Sequence, residues 1–369
     1  MKRAALAAVL LLLAAAALGQ SAHQRQEWPR TDFSQRTVDL AEIQSGGPPK
    51  DGIPAVDQPR FIGARAARAW LKPAEPVIVL RVGKEARAYP LQILMFHEIV
   101  NDTVAGRPVA VTFCPLCNAS MVFDRNVGGR TLDFGTTGRL RLSDLVMYDR
   151  QTESWWQQFT GTGIVGHYAG TKLERLPAEI VSFADFSAAH PLGLVLSRET
   201  GHARPYGRNP YVGYDDIGQS PFLLAQAPDG RLPPMERVLS VSVAGRHRLY
   251  PLSLLERHPV SNRQLGDLPY VIFAKVDMAS PLDSGDIAEG RRIPAATVFD
   301  RRVGERVLEF AQRDGEFVDQ ASGSRWNILG EAVAGPLKGR RLAALDGGVH
   351  FAFAWLAFNP DSEIVRALP

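Results

Sequence analysis

The sequence predicts a β-rich α+β protein made of two homologous lobes, produced by internal duplication and related by a pseudo-two-fold axis. Two observations carry this. Runs containing Val, Phe and Tyr are short and are broken by 33 Gly and 26 Pro, which argues for many short strands. A set of residues also recurs in the same order at a domain-sized spacing, too long for a solenoid repeat.

The first copy opens near Val77 with a hairpin turning at Val82-Gly83-Lys84. Pro90 then starts a short helix through His97, at a position where its missing N–H costs nothing. A strand is expected over 109–113. A second hairpin runs over 121–125, turns at Gly128-Gly129 and returns over 131–134. Further strands are expected over 148–159 and 180–183, and a helical turn over 184–190 closes the lobe. In the second copy, Tyr89-Pro90-Leu91 recurs as Tyr250-Pro251-Leu252, His97 as His258 and Asn101 as Asn262. Phe123-Asp124-Arg125 recurs as Phe299-Asp300-Arg301, Asp149 as Asp319 and Trp156 as Trp326. The resulting organisation is a signal peptide (1–19), an N-terminal extension (20–76), a first lobe (77–191), a connector (192–237), a second lobe (238–360) and a tail (361–369).

The leader has Lys2 and Arg3, then an apolar run over 4–18 and small residues at Ala17 and Gly19. That run is shorter than the roughly 20 residues of a spanning helix, so no membrane span is expected after signal removal. The protein is expected to be exported, to the periplasm or the cell exterior. A net charge of +3 is small for 369 residues and suggests no nucleic-acid partner.

The chain has two cysteines, Cys114 and Cys117, in Phe-Cys-Pro-Leu-Cys-Asn. Such a pair can cycle between dithiol and disulfide, hold part of a metal site or anchor a cofactor. Haem attachment calls for His after the second cysteine, where Asn118 stands. A thioredoxin-like pair opens a long helix, but here the chain leads straight into the Gly128-Gly129 hairpin, so the fold is not thioredoxin-like and the pair lies on a turn between strands. Aligned on Phe113 and Phe273, Cys114 and Cys117 fall on Ala274 and Asp277. The shared residues therefore read as framework. Residues private to the first copy, among them Glu98, Asn118, Arg139, Arg141, Ser143, Asp144, Arg150 and Glu153, are the functional candidates.

The stretches Tyr89-Pro90-Leu91, His97-Glu-Ile-Val-Asn-Asp102, Val111-Thr-Phe-Cys-Pro-Leu-Cys117, Phe123-Asp-Arg125 and Met147-Tyr-Asp-Arg-Gln-Thr-Glu-Ser-Trp-Trp156 together resemble the domain of unknown function 3179, a family of exported prokaryotic proteins. The resemblance continues through the second lobe. Some members are described as selenoproteins with selenocysteine in the CxxC region, which implies redox or nucleophilic chemistry at Cys114 and Cys117.

The first reading is a thiol-dependent oxidoreductase that needs no cofactor and acts on a small molecule or a redox partner protein. Cys114 attacks and Cys117 resolves, with Arg139 or Arg150 close enough to lower the thiol pKa. The alternative is a zinc or copper(I) module using Cys114, Cys117 and His97. A third reading is a non-catalytic binding protein in which the pair forms a structural bridge.

Overall fold

The computed structural model describes residues 26–368, so the expected leader lies outside the described residues. The described chain is β-rich with short helices, its strands arranged in several sheets. Three sheets involve the first half. Pro76–Val82 and Glu85–Pro90 form the opening hairpin, flanked by antiparallel Ala178–Ser182 and by Leu194–Leu196, which runs parallel to Glu85–Pro90. Ile99–Val104, Arg107–Cys114 and Ala119–Asp124 form a meander joined by Arg175–Leu176. A third sheet carries the hairpin Phe134–Arg141/Asp144–Asp149, followed by Trp155–Gln157 and Thr162–Val165, with Ile43–Ser45 on its edge.

The same strand orders appear in the second half. Arg237–Val243 and Arg246–Pro251 are flanked by antiparallel Gly347–Phe351 and parallel Glu363–Ile364. Val260–Leu265, Leu268–Ala279 and Arg292–Asp300 form the second meander. Phe310–Arg313, Glu316–Asp319, Arg325–Trp326 and Ala332–Ala334 form the last sheet.

Matched residues make matched bonds. Asn101 closes a reciprocal pair with the backbone of Phe134 at 2.8 and 2.9 Å, and Asn262 does the same with Phe310 at 2.8 and 3.0 Å. Asp149 accepts from Thr152 N and from the Trp156 indole; Asp319 accepts from Ser322 N and from the Trp326 indole. Arg125 and Arg301 donate to the carbonyls of Leu132 and Leu308. Apart from the two indole bonds, these satisfy backbone groups that would otherwise be left unpaired.

Several expected elements differ in detail. The hairpin at Gly128-Gly129 is only the pair Asn126–Val127/Arg130–Thr131, and the chain does not return along the preceding strand. Asn101 and Arg125 capture the backbone at Phe134 and Leu132, so Phe134 opens the next sheet. The helix is a single turn, Leu91–Leu94, with Pro90 as its N-cap and Glu98 already left-handed at φ 58°. The strand expected over 148–159 is broken where Asp149 caps the turn at Thr152. Leu194–Leu196 and Glu363–Ile364 lie beyond the expected lobe ends at 191 and 360, yet each joins its half's first sheet.

The halves share a core. Val238, Leu249, Phe351 and Trp355 belong to the same buried cluster as Phe113, Cys114, Cys117 and Trp156.

Candidate functional site

Arg107–Cys114 and Ala119–Asp124 pair with Cys114 opposite Ala119, so the turn between them is Pro115-Leu116-Cys117-Asn118. Pro115 presets φ and starts one tight helical turn, Pro115–Cys117. Asn118 ends it in the left-handed region at φ 48°, returning its N–H to the Pro115 carbonyl. Both thiols are unbridged and buried, Cys114 at 1 % and Cys117 at 0 % exposure. The pair thus occupies a strand-to-strand turn, as the sequence suggested.

The third sheet brings the pair its neighbours. The hairpin Phe134–Arg141/Asp144–Asp149 is longer than its counterpart Phe310–Arg313/Glu316–Asp319. The added length carries its turn, Leu142-Ser143, onto the cysteines. The Ser143 carbonyl lies 3.5 Å from Cys117 Sγ and 3.9 Å from Cys114 Sγ. One carboxylate oxygen of Asp144 and both sulfurs lie within 4.8 Å of one another. Asp144 is fully buried, and its Oδ2 accepts from Gln157 Nε2 at 2.6 Å and from Phe159 N at 2.9 Å. Its Oδ1 has no hydrogen-bond partner. Glu98 borders the Cys114 strand, its carbonyl accepting from Phe113 N at 2.8 Å.

Four non-glycine residues around this cluster have left-handed backbones: Glu98, Asn118, Leu142 and Ser143. Such conformations cost of order 1 kcal/mol or more each and collect at functional sites. The second half carries Asp314-Gly315 at the matching hairpin turn, residues suited to those angles.

The local electrostatics are set by burial and by carboxyls. Burial pushes both thiols up. Asp144 adds to the rise at both thiols and Glu98 to that of Cys114. Burial also raises the carboxyls, Asp144 to about 7 and Glu98 to about 8, the latter with help from Asp144.

A cavity of about 280 Å³ adjoins the pair. Leu116, Glu98, Leu140, Leu145, Tyr211 and Tyr214 help to line it. The cysteines are not on its wall; Leu116, between them in sequence, is. Tyr211 and Tyr214 come from the connector and sit close enough to Cys114 for its charge to raise their own pKa values further, beyond the effect of burial.

Residues 50–362 match the model of a family described as a protein of unknown function (DUF3179). The chain belongs to that family. No curated protein and no solved structure matches it.

The other expected site residues have partners of their own. Arg139 pairs with Glu27 at 3.1 Å, lies over the Trp155 ring and lines the cavity. Arg150 pairs with Asp57 at 3.1 Å and Asp51 at 3.6 Å. The largest influences on the thiols after burial are each other and the nearby carboxyls, so the expected acidifying arginine is replaced by groups of opposite sign. His97 is corrected as a metal ligand. Its Nδ1 bonds the Pro54 carbonyl at 2.7 Å and its Nε2 bonds the Tyr206 hydroxyl at 2.6 Å, so both ring nitrogens are occupied. Asp144 takes the third place beside the sulfurs. Its privacy to the first copy was the sequence signal for it. The connector tyrosines carried no such signal.

Proposed function

We propose that this protein is an exported dithiol oxidoreductase whose redox pair is Cys114 and Cys117. The observation that carries the reading is the buried grouping of two free thiols with the Asp144 carboxyl within 4.8 Å. Cys114, followed directly by Pro115, attacks, and Cys117 resolves. With a small disulfide, Cys114 Sγ forms a mixed disulfide and expels one thiol. Cys117 Sγ then closes the protein bridge and expels the second. The two thiol protons leave through Asp144 to the departing thiolates, and two electrons pass to the substrate. Thiolates not stabilised by positive charge favour the protonated dithiol, which suits a reductant. Burial of both sulfurs beside a cavity near the lower end of the usual ligand range, roughly 300–1,000 Å³, favours a small, largely apolar substrate over a protein. The matched bonds of the two halves support an internal duplication in which only the first half kept or gained the redox pair.

The reading is tested with 4,4′-dithiodipyridine on the reduced protein. Wild type is expected to release two equivalents of thiopyridone and to form the internal bridge, seen as a mass loss of two hydrogens. Cys117→Ser is expected to stop at a mixed disulfide after one equivalent. A native protein that accumulates mixed disulfides without bridging contradicts the proposal.

A further inference from the structure

We propose that the reduced form of this protein also holds one zinc-class divalent cation, ligated by Cys114 Sγ, Cys117 Sγ and Asp144 Oδ1. The inference goes beyond dithiol exchange, because a bound cation and a disulfide exclude each other at the same sulfurs. Redox state and metal occupancy are then two states of one site.

Three observations carry it. The first is convergence. Two sulfurs and a carboxylate oxygen, supplied by two different sheets, lie within 4.8 Å of one another. Zinc bonds of about 2.0 to 2.3 Å call for ligand separations of about 3.5 to 3.8 Å, so the grouping needs to close by only about an ångström. The second is the state of Asp144. The residue has 0 % exposure, Oδ2 is held by Gln157 and the Phe159 amide, and Oδ1 is buried with no partner. A buried carboxylate oxygen without a donor is costly unless a proton or a cation satisfies it. Fixing one oxygen while leaving the other free is how an outer shell orients a ligating carboxylate. Gln157 is itself held, its Oε1 lying 3.4 Å from Arg141 Nη1. The third is the backbone at Asn118 and Ser143. Left-handed residues there keep both turns tight enough to meet.

The donor set selects the ion. Two thiolates with one carboxylate suit a borderline cation such as zinc, whereas copper(I) prefers sulfur alone. Three protein ligands leave a fourth position open, as catalytic rather than structural zinc sites do.

The test uses the reduced, metal-free protein titrated with Co²⁺ and then Zn²⁺. Wild type is expected to bind one equivalent of Co²⁺ with thiolate charge-transfer absorption and tetrahedral visible bands, both abolished by Zn²⁺. The bridged protein is expected to show neither. Asp144→Asn, which removes the ligand's charge, is expected to weaken Co²⁺ binding by more than the roughly 10- to 100-fold typical of losing an outer-shell partner. If that variant does not fold, Gln157→Leu, which only frees Asp144, is expected to weaken binding as well. Two results overturn the site: no bound cation in reduced wild type, or equal affinity in wild type and in folded Asp144 and Gln157 variants. Copper(I) bound equally well with and without the Asp144 carboxylate also overturns it. Thiopyridone release is read on the same preparation, so loss of the metal site leaves the dithiol reading standing, and the reverse.

Discussion

His97 illustrates how a conspicuous residue acquires a plain role. It precedes the cysteine strand, and metal chemistry was one expectation for it. Its ring instead joins the Pro54 carbonyl to Tyr206, and burial lowers its pKa to about 4. The folded value lies below the ordinary 6.5, so between pH 6.5 and 4 the unfolded chain binds the extra proton. The stability from neutral His97 is therefore complete above pH 6.5 and is lost as pH falls through 4, amounting to about 3 kcal/mol. Urea unfolding at pH 7.5 and pH 4.5 is expected to show wild type losing about 2 to 3 kcal/mol more than His97→Gln; equal losses contradict the assignment. Arg150 supplies the converse case. Its charge is spent on Asp57 and Asp51, so Arg150→Gln is expected to leave the rate of Cys114 alkylation unchanged across pH. A fall in thiol reactivity in that variant would restore Arg150 to the site. The cysteines were legible because their chemistry is rare. Asp144 could be singled out only as a residue absent from the second copy, since a carboxylate's role depends on what it faces.

Among the elements, the long hairpin matters most. It has a bulge between Thr136 and Arg139, and within it Gly138 sits at φ 68°. A Cβ at Gly138 would lie 1.9 Å from the Pro48 carbonyl oxygen, a backbone atom that cannot step aside. Gly138→Ala is therefore expected to cost about 2 kcal/mol or more in urea unfolding. At its tip, Leu142 and Ser143 both adopt φ values that favour Asn and Gly. Replacing them together by Asn-Gly is expected to raise stability by about 1 kcal/mol or more, read as a higher urea midpoint. A lower midpoint would mean that the tip's contacts with the thiols outweigh its backbone strain. The sequence marked Ser143 and Asp144 only as residues private to the first copy. It did not show that those residues extend a hairpin onto another sheet.

On the scale of the whole molecule, the site depends on segments that read as accessories. The N-terminal extension supplies Pro48 and Ile53 to the cavity, and the connector supplies Tyr211, Tyr214 and Phe222. The second half packs behind the cysteine turn, where Asn118 Nδ2 lies 3.5 Å from the Val349 carbonyl and Phe159 stacks on Phe358 at 5.0 Å. Tyr214→Ala, which uncovers this region, is expected to speed alkylation of the buried thiols at least tenfold with an unchanged far-UV spectrum. No acceleration would show that small molecules reach the sulfurs by another face. Among the described residues no helix is long and apolar enough to cross a membrane.

The sequence by itself determined the β-rich character, the opening hairpin and the strands either side of the cysteines, the recurrence of framework residues and the placing of Cys114 and Cys117 on a turn. These follow from local physics: Gly and Pro punctuation, short apolar runs and a repeat that can be aligned. Only the tertiary structure decided what surrounds the pair. Which sheet receives Phe134, how far the hairpin reaches and what covers the thiols depend on packing between distant segments. That packing placed carboxyls, not arginines, beside the sulfurs.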